Sequence, residues 1–189
     1  MRKNFGVKSW FYPLPVLIIG SYDKNGNANV MNAAWGGLYD RNKIILCLSA
    51  SHKTSKNIKE VGAFTVSFAN KEHVVESDYV GLVSANDVSD KLKKAHLTTL
   101  KSDFVNAPVI QEFPMTLECQ LISYTADGNI IGEIINISAD ESILSQEGLI
   151  DIQKLAPIVY DPVYNNYHVV GQKVGNAFQD GQKLKEDKK

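Results

Sequence analysis

Cysteine is scarce in this sequence of 189 residues, which contains only two, Cys47 and Cys119. They are far apart in the chain, and each lies in an apolar, strand-like stretch. Two isolated cysteines in a chain of this size predict reduced core residues of a cytosolic protein, not a disulfide framework. With 44% hydrophobic residues, we expect a cytoplasmic protein whose fold is held together by its hydrophobic core.

Long apolar runs are also missing. No stretch approaches the ~18 apolar residues that a membrane-spanning helix needs. An apolar run at 10–20 follows the basic start Met1-Arg2-Lys3, but Pro13 and Pro15 interrupt it and no small-residue cleavage site follows. We therefore expect no signal peptide and no membrane partner.

Neither sign of charge is in excess. Twenty basic and twenty-one acidic residues give a formal net charge of −1, whereas nucleic-acid-binding domains normally carry a basic excess on one face. We expect no nucleic-acid partner. An anionic small ligand would need a local binding site.

The common catalytic and nucleotide-binding motifs are absent from the sequence. It contains no G-x-G-x-x-G, G-x-x-x-x-G-K-[ST], C-x-x-C, H-E-x-x-H or G-x-S-x-G. The four histidines show no metal-ligand spacing. We predict no metal site and identify no catalytic side chain.

Short β-rich segments separated by turns dominate what is present. Asn25-Gly26 supplies the positive φ angles of a tight hairpin turn. A second hairpin is predicted to turn at 126–129. The predicted strands are 16–22, 27–34, 43–50, 63–68, 115–124 and 130–138.

Two helices are predicted between these strands. One covers 54–61, with hydroxyl side chains near its start as possible caps and Gly62 as its stop. The other covers 71–83, capped by Asn70, with Val74, Val75, Tyr79 and Leu82 at rough helical spacing. Many strands and few helices predict a mainly β fold with helical insertions, an antiparallel barrel with Greek-key connections. We expect one domain over 1–180 and a charged, solvated tail over 181–189.

The polar stretch from Ser49 to Ile58 connects the end of a strand to the start of a helix. Such a junction offers free backbone amides and the positive end of the helix dipole. With hydroxyls and the basic pair His52-Lys53 beside them, these groups would suit a phosphate. From the residues alone, a polar loop with an ordinary N-cap explains the same stretch.

Several short motifs occur in an order that resembles a known family, and this resemblance favours the phosphate site over an ordinary N-cap. The sequence resembles the flavin-reductase-like family, particularly its flavoredoxin branch, over roughly residues 10 to 180. The resemblance rests on Pro13-Leu14-Pro15-Val16, Asn25-Gly26, Asn32-Ala33-Ala34-Trp35-Gly36, Ser49 to Ile58, Val83 to Lys91, Ala107-Pro108-Val109-Ile110, Gly132-Glu133-Ile134 and Tyr167-His168-Val169-Val170-Gly171, in that order.

This resemblance implies an antiparallel split β-barrel, a homodimer and one FMN per subunit near the dimer interface. It places Asn32, Ala33, Ala34 and Trp35 at the cofactor, the last three beside the isoalloxazine ring. It assigns the ribityl phosphate to Ser49, Ala50, Ser51, His52 and Thr54, and brings Lys91 to the flavin or its phosphate. Ala85 replaces the usual glycine of the Ser-Gly pair, and His52-Lys53 replaces a common Arg-Tyr pair.

The activity implied is an oxidoreductase in which NAD(P)H reduces FMN and the electrons pass to a small-molecule or protein acceptor. Because flavin carries this chemistry, the protein need supply only binding, orientation and electrostatics. Two alternatives remain: an electron carrier reduced by a protein partner, and a non-catalytic flavin-binding module.

Overall fold

The computed structural model describes residues 1–186 and shows a mainly β fold with short helices. The strands are β1 (Leu14–Pro15), β2 (Leu17–Tyr22), β3 (Ala28–Ala33), β4 (Gly36–Asp40), β5 (Lys43–Cys47), β6 (Ala63–Phe68), β7 (Thr99–Lys101), β8 (Pro108–Ile110), β9 (Met115–Tyr124), β10 (Asn129–Ala139), β11 (Ile158–Asp161) and β12 (Asn166–Val169). The α-helices are α1 (Lys53–Val61), α2 (Val74–Leu82), α3 (Lys91–Lys94), α4 (Ile152–Leu155) and α5 (Lys183–Glu186). None of the helices in 1–186 is both long enough and apolar enough to cross a membrane.

Seven strands form one curled antiparallel sheet in the order β3-β2-β6-β9-β10-β5-β4. Its two edge strands, β3 and β4, are consecutive in the chain and are separated only by Ala34 and Trp35. Cys47 donates its backbone N–H to the carbonyl of Trp35 at 2.8 Å, which ties this connection to β5. The crossovers between neighbours that are distant in sequence confirm the predicted antiparallel split barrel with Greek-key connections.

Strand β2 is buried on both faces. Its successive side chains point to opposite sides of the sheet, and a separate core covers each side. Leu17 and Ile19 pack inside the curl with Phe64 and with Ile58 of α1. Ile18 packs outside, in a second core that contains Val80, Ile110 and Ile158. This outer core holds α2 and the small sheet β1-β11-β12 against the barrel. The packing therefore fixes α1 and α2 on opposite sides of the β2–β3 hairpin.

The helices depart from the sequence expectations in two ways. Helix α2 begins at Val74 and not at 71, although Asn70 accepts the His73 N–H with its side chain at 3.1 Å. Its predicted apolar stripe is wrong, because Val75 and Leu82 are 77% and 75% exposed. In α1 the predicted hydroxyl cap is also wrong, since the N-cap is His52, which makes no side-chain cap bond. The predicted stop at Gly62 is confirmed by its φ of 78°.

The two cysteines have different environments. Cys119 is a buried core residue, and burial raises the pKa of its thiol to about 12. The expectation that Cys47 is also a core residue is wrong. Cys47 lies on the face of β5 opposite to the buried Ile44 and Leu46, so its side chain is exposed, and it carries a free thiol.

The carboxyl-terminal segment is exposed as far as the structure describes it. A 3₁₀ turn at Asp180–Gln182 and the single helical turn of α5 occupy most of the predicted charged tail. The remainder of that predicted tail, residues 187–189, lies outside the described residues.

Gly132 leaves room for the buried ring of Phe64 at the centre of the barrel. A Cβ atom at Gly132 would lie 2.4 Å from the Phe64 Cζ atom, far inside van der Waals contact. We expect Gly132→Ala to lower the free energy of unfolding by about 1–3 kcal/mol, the usual cost of overpacking a core. Urea unfolding would measure the loss.

Gly37→Ala is the matched control, because Gly37 is also a strand glycine but a Cβ atom added there would meet nothing within 4 Å. We expect the unfolding midpoint of this control to stay close to that of the wild type. Equal stability of both variants would show that Phe64 moves aside at no cost.

Candidate functional site

Two adjoining cavities lie between the β2–β3 hairpin, α1 and α2. The wide cavity has a volume of about 350 Å³, and the narrow cavity about 230 Å³. They share the side chains or backbone of Met31, Asn32, His52, Gly81 and Leu82. Together they form one groove that an elongated ligand could span.

The wide cavity is lined mainly by apolar and aromatic groups. Trp35 stands at its mouth, 52% exposed, because the β3–β4 connection carries it out of the curled sheet. The other lining residues are Val16, Ala33, Ala34, Cys47, Leu48, Asp78, Tyr160 and Tyr167. Such a lining, apolar with a few polar groups, is typical of a pocket for a flat organic ligand.

A hydrogen-bond network fixes α2 against β3 and β12 at this cavity. The Tyr167 hydroxyl donates to Asp78 Oδ1 at 2.7 Å. Partial burial, together with Asp78, raises the pKa of Tyr167 to about 12. The Asn32 side-chain amide donates to the carbonyl of Ser77 at 2.9 Å. The polar groups beside the apolar lining are thus held in place from both sides of the groove.

The narrow cavity lies at the amino-terminal end of α1. His52, the N-cap, is in an extended conformation and its side chain does not cap the helix. The first bond to the helix runs from the Lys56 N–H to the His52 carbonyl at 3.2 Å. Within residues 1–186, the three preceding N–H groups of α1 have no backbone acceptor. This helix end therefore presents free donors and a partial positive charge.

Lys91 adds a buried cation to the same cavity. It lies at the start of α3 and is only 2% exposed. In the described part of the chain no carboxylate pairs with it. Burial therefore lowers the pKa of its ammonium group to about 8. A buried charge normally has a partner, so this lysine indicates a site for an anion.

Lys53 and Thr54 complete the polar side of the narrow cavity. Lys53 lies 3.8 Å from Asp23 Oδ2 in a partly exposed ion pair. Thr54 is buried within the first turn of α1, and its hydroxyl accepts a hydrogen bond from the Asn29 side chain at 2.6 Å. No acidic side chain is among the described residues that line this cavity. The positive charge of the cavity lining therefore suits a negatively charged group of a ligand.

The groove brings together seven of the ten residues that the sequence singled out. Ala33, Ala34 and Trp35 line the wide cavity, Thr54 and Lys91 the narrow one, and Asn32 and His52 both. Ser49, Ala50 and Ser51 lie outside these linings, in the turn that precedes α1. There the Ser49 and Ser51 hydroxyls are exposed and 2.8 Å apart.

Sequence reasoning missed several lining residues. Asp78, Gly81 and Leu82 belong to α2, and Tyr160 and Tyr167 to the small sheet. The signal available in the sequence was the number of apolar residues in α2, which is larger than one buried stripe requires. A helix normally has polar residues on its other faces, so additional apolar residues indicate that a ligand or partner covers another face. Asn29 gave no signal, since an asparagine near a hairpin turn is expected for turn formation alone.

Comparisons with known proteins confirm the family resemblance that the sequence motifs indicated. The sequence model of the flavin reductase like domain matches residues 9–162. The structure is similar to flavoredoxin of Desulfovibrio vulgaris (Miyazaki F), with 36% identity and a TM-score of 0.92 over 96% of this chain and 100% of that one. It is also similar to flavoredoxin from Methanosarcina acetivorans, with 28% identity and a TM-score of 0.85 over 97% and 100%.

A solved structure from Shewanella baltica OS155, an FMN-binding domain of flavin reductases-like enzyme, shares the fold at 20% identity. Its TM-score is 0.77 over 86% of this chain and 88% of that chain. The family match covers the barrel, both helices beside the groove, and all ten site residues singled out from the sequence. The chain belongs to the flavin reductase-like domain family.

Proposed function

We propose that this protein is an FMN-binding oxidoreductase that accepts a hydride from NAD(P)H and passes the electrons to an acceptor. The observation that carries the proposal is the joined groove, with an apolar aromatic cavity at one end and a cationic cavity at the other. An aromatic ring system with one terminal phosphate matches this groove, because its ring end is largely apolar and its phosphate end is anionic.

The narrow cavity fits a phosphate by the chemistry of its donors. The amino-terminal end of α1, Thr54 and Lys91 line the same cavity. Oriented amides at a helix start bind phosphate in many proteins. In this arrangement Thr54 and Lys91 bind the phosphate, with His52 at the boundary to the wide cavity. Ser49, Ala50 and Ser51 then act through the shape of the turn that precedes α1.

The wide cavity fits the flavin ring. Asn32, Ala33 and Ala34 would border the ring, and Trp35 would cover it at the mouth of the cavity. Bound FMN would supply the hydride acceptance and the onward electron transfer. The protein orients the ring, excludes water with apolar side chains, and requires no side chain as a proton donor.

The test is anaerobic reduction. We expect the purified protein to be yellow, to release FMN and not FAD on denaturation, and to lose its yellow absorbance when NADH or NADPH is added without oxygen. Release of FAD, or a protein without flavin, would contradict the cofactor assignment. A flavin that NADH and NADPH leave oxidised would contradict the hydride step.

A second candidate is an electron carrier that a protein partner reduces, with the flavin permanently bound. The similarity to two flavoredoxins over nearly the whole chain favours it. In that case chemical reductants bleach the flavin while both nicotinamides leave it oxidised. The same anaerobic assay thus separates the two candidates, and a flavin that never exchanges electrons would indicate a binding module.

We further propose that two copies form a two-fold dimer in the cytoplasm. Several apolar side chains that a monomer would leave in water support it. Ile122, Ile135 and Ile137 of the β9–β10 hairpin are about half exposed, and Leu38 of β4 is 74% exposed. Symmetric pairing is the commonest way to cover such a surface. Light scattering that gives the monomer mass for the flavin-loaded protein would contradict it.

Lys91 makes the affinity for FMN depend on pH. Without a bound anion its pKa is about 8, and a phosphate favours the protonated form, so binding takes up a proton above pH 8. We expect the association constant for FMN to be flat just below pH 8 and then to fall, by up to about tenfold per pH unit. Fluorescence titrations from pH 7 to pH 9.5 measure this slope, with riboflavin, which lacks the phosphate, as the control ligand.

A further inference from the structure

Asn29 belongs to β3 and lies directly against the first turn of α1. Its side chain is 4% exposed and lines the narrow cavity together with Thr54. The Asn29 amide nitrogen donates to Thr54 Oγ1 at 2.6 Å. Its carbonyl oxygen is buried and has no hydrogen-bond partner within the described residues. An unpaired buried oxygen is costly, so stability does not account for an asparagine at this position.

The direction of this hydrogen bond determines what Thr54 can do. An amide N–H donates only, so the Thr54 oxygen must be the acceptor, and the hydroxyl hydrogen remains free for a third group. The free amides of α1 begin beside this hydroxyl, and Lys91 lines the same cavity. A threonine without such a donor beside it could rotate its hydrogen toward other acceptors.

We propose that Asn29 is a positioning residue that keeps the Thr54 hydroxyl as a hydrogen-bond donor to the phosphate of the ligand. This inference rests on the proposed function and adds a determinant of selectivity for phosphorylated flavin. Asn29 acts through Thr54 and does not itself contact the phosphate. The competing arrangement reverses the amide, so that Thr54 donates to Asn29 and the Asn29 amide nitrogen binds the phosphate directly.

A double-mutant cycle separates these two arrangements. The measured quantity is the ratio of the affinities for FMN and riboflavin, determined by fluorescence titration of the flavin-free full chain. We expect Thr54→Val to lower this ratio about 10- to 100-fold, the value of a hydrogen bond to a charged acceptor. Asn29→Ala should lower it about three- to tenfold, because the Thr54 hydroxyl loses its fixed direction. The riboflavin affinity should stay within about twofold in both variants.

The decisive comparison uses the double variant. If Asn29 acts only through Thr54, Asn29→Ala has no further effect once Thr54 is valine. An effect of Asn29→Ala that persists in the Thr54→Val background would show direct contact with the phosphate and overturn the proposal. An unchanged ratio in Asn29→Ala alone would also overturn it. Should Asn29→Ala fail to fold, Asn29→Ser takes its place in the same cycle.

Asn57→Ala is the matched control. Asn57 is also buried between α1 and the β2–β3 hairpin, 2% exposed, and its amide donates to Ser21 Oγ at 3.2 Å. It does not line the narrow cavity, so its loss should lower the melting temperature and leave the ratio unchanged. A ratio that falls in Asn57→Ala as much as in Asn29→Ala would reduce Asn29 to a structural role.

The wild-type ratio distinguishes a failure of the proposed phosphate site from a failure of the role of Asn29. Equal affinities of the wild type for FMN and riboflavin would overturn the proposed phosphate site together with this inference. A wild type that prefers FMN, combined with an additive cycle, would overturn only the role of Asn29.

Discussion

Lys91→Met should weaken FMN binding by about a hundredfold and leave riboflavin binding nearly unchanged. Lys91 is 2% exposed and has no carboxylate partner in residues 1–186, so its charge is available to a phosphate. A hydrogen bond between charged groups contributes about 1.5–3 kcal/mol, which corresponds to roughly 10- to 150-fold in affinity. Burial places the expected loss near the upper end of this range.

The same substitution should stabilise the flavin-free protein. The pKa of Lys91 is lowered from 10.5 to about 8 by burial, so the charged lysine opposes folding below pH 8. This cost disappears as the pH rises from 8 to 10.5. Methionine fills similar space without a charge, and replacing buried charges by apolar groups is often stabilising. We expect the free energy of unfolding at pH 7 to rise by about 1–3 kcal/mol.

Lys93→Met is the control for Lys91→Met. Lys93 belongs to the same helical turn but is exposed, so its loss should change neither stability nor the preference for FMN. Thermal melts of the flavin-free proteins and titrations with both flavins test the two effects together. Lower stability of Lys91→Met, or equal losses of affinity for FMN and riboflavin, would contradict the role of Lys91 as an unpaired cation that binds the phosphate. The decline of FMN affinity above pH 8 should be absent from this variant.

Gly81→Val should abolish high-affinity binding of FMN and riboflavin alike. Gly81 is a residue of α2 that lines both cavities, so its position lies where the groove narrows. A Cβ atom there would lie 3.1 Å from the Asn32 Cβ atom, and the two methyl groups of valine would extend further. The valine side chain would occupy space that the ligand needs, and a clash that costs about 3 kcal/mol in the complex corresponds to roughly a hundredfold in affinity.

Gly81→Ala separates obstruction of the groove from a change in the helix. Alanine adds only the Cβ atom and improves helix propensity by about 1 kcal/mol, so we expect binding within about tenfold of the wild type. Circular dichroism should show a folded protein for both variants. If the folded Gly81→Val protein keeps its flavin affinity, the ligand does not pass between the two cavities. That result would contradict the proposed binding mode while leaving the narrow cavity as a phosphate site.

Local sequence patterns predicted six of the twelve described strands and missed the other six, β1, β4, β7, β8, β11 and β12. The strands Ala63–Phe68 and Met115–Tyr124 have the bounds that their alternation indicated, because side chains alternate between the two faces of a strand. The Asn25-Gly26 turn follows from glycine's tolerance of positive φ, here 81°. The ordered motifs also identified the family. These features depend on neighbours along the chain, so the sequence contains them directly.

The burial of single side chains was not predictable in the same way. Cys47 lies in a sequence that looks like a buried strand, yet β5 ends there and its thiol is exposed. Val75 and Leu82 match a helical stripe, yet the buried residues of α2 are Ser77 and Val80. In each case the burial of the side chain depends on whether a segment that is distant in the sequence packs against it.

Sequence patterns and motif order were enough to predict a mainly β split barrel, an anion site at the start of α1, and membership of the flavin reductase-like domain family. Which polar residues line the same cavity became known from the folded structure. The folded chain places Lys91 and Asn29 in the same cavity as Thr54, and Ser49 and Ser51 in an exposed turn. This difference arises because hydrogen-bonding patterns within strands and turns are local. The environment of a charge or an amide is instead set by segments that are far apart in sequence and meet only when the sheet curls.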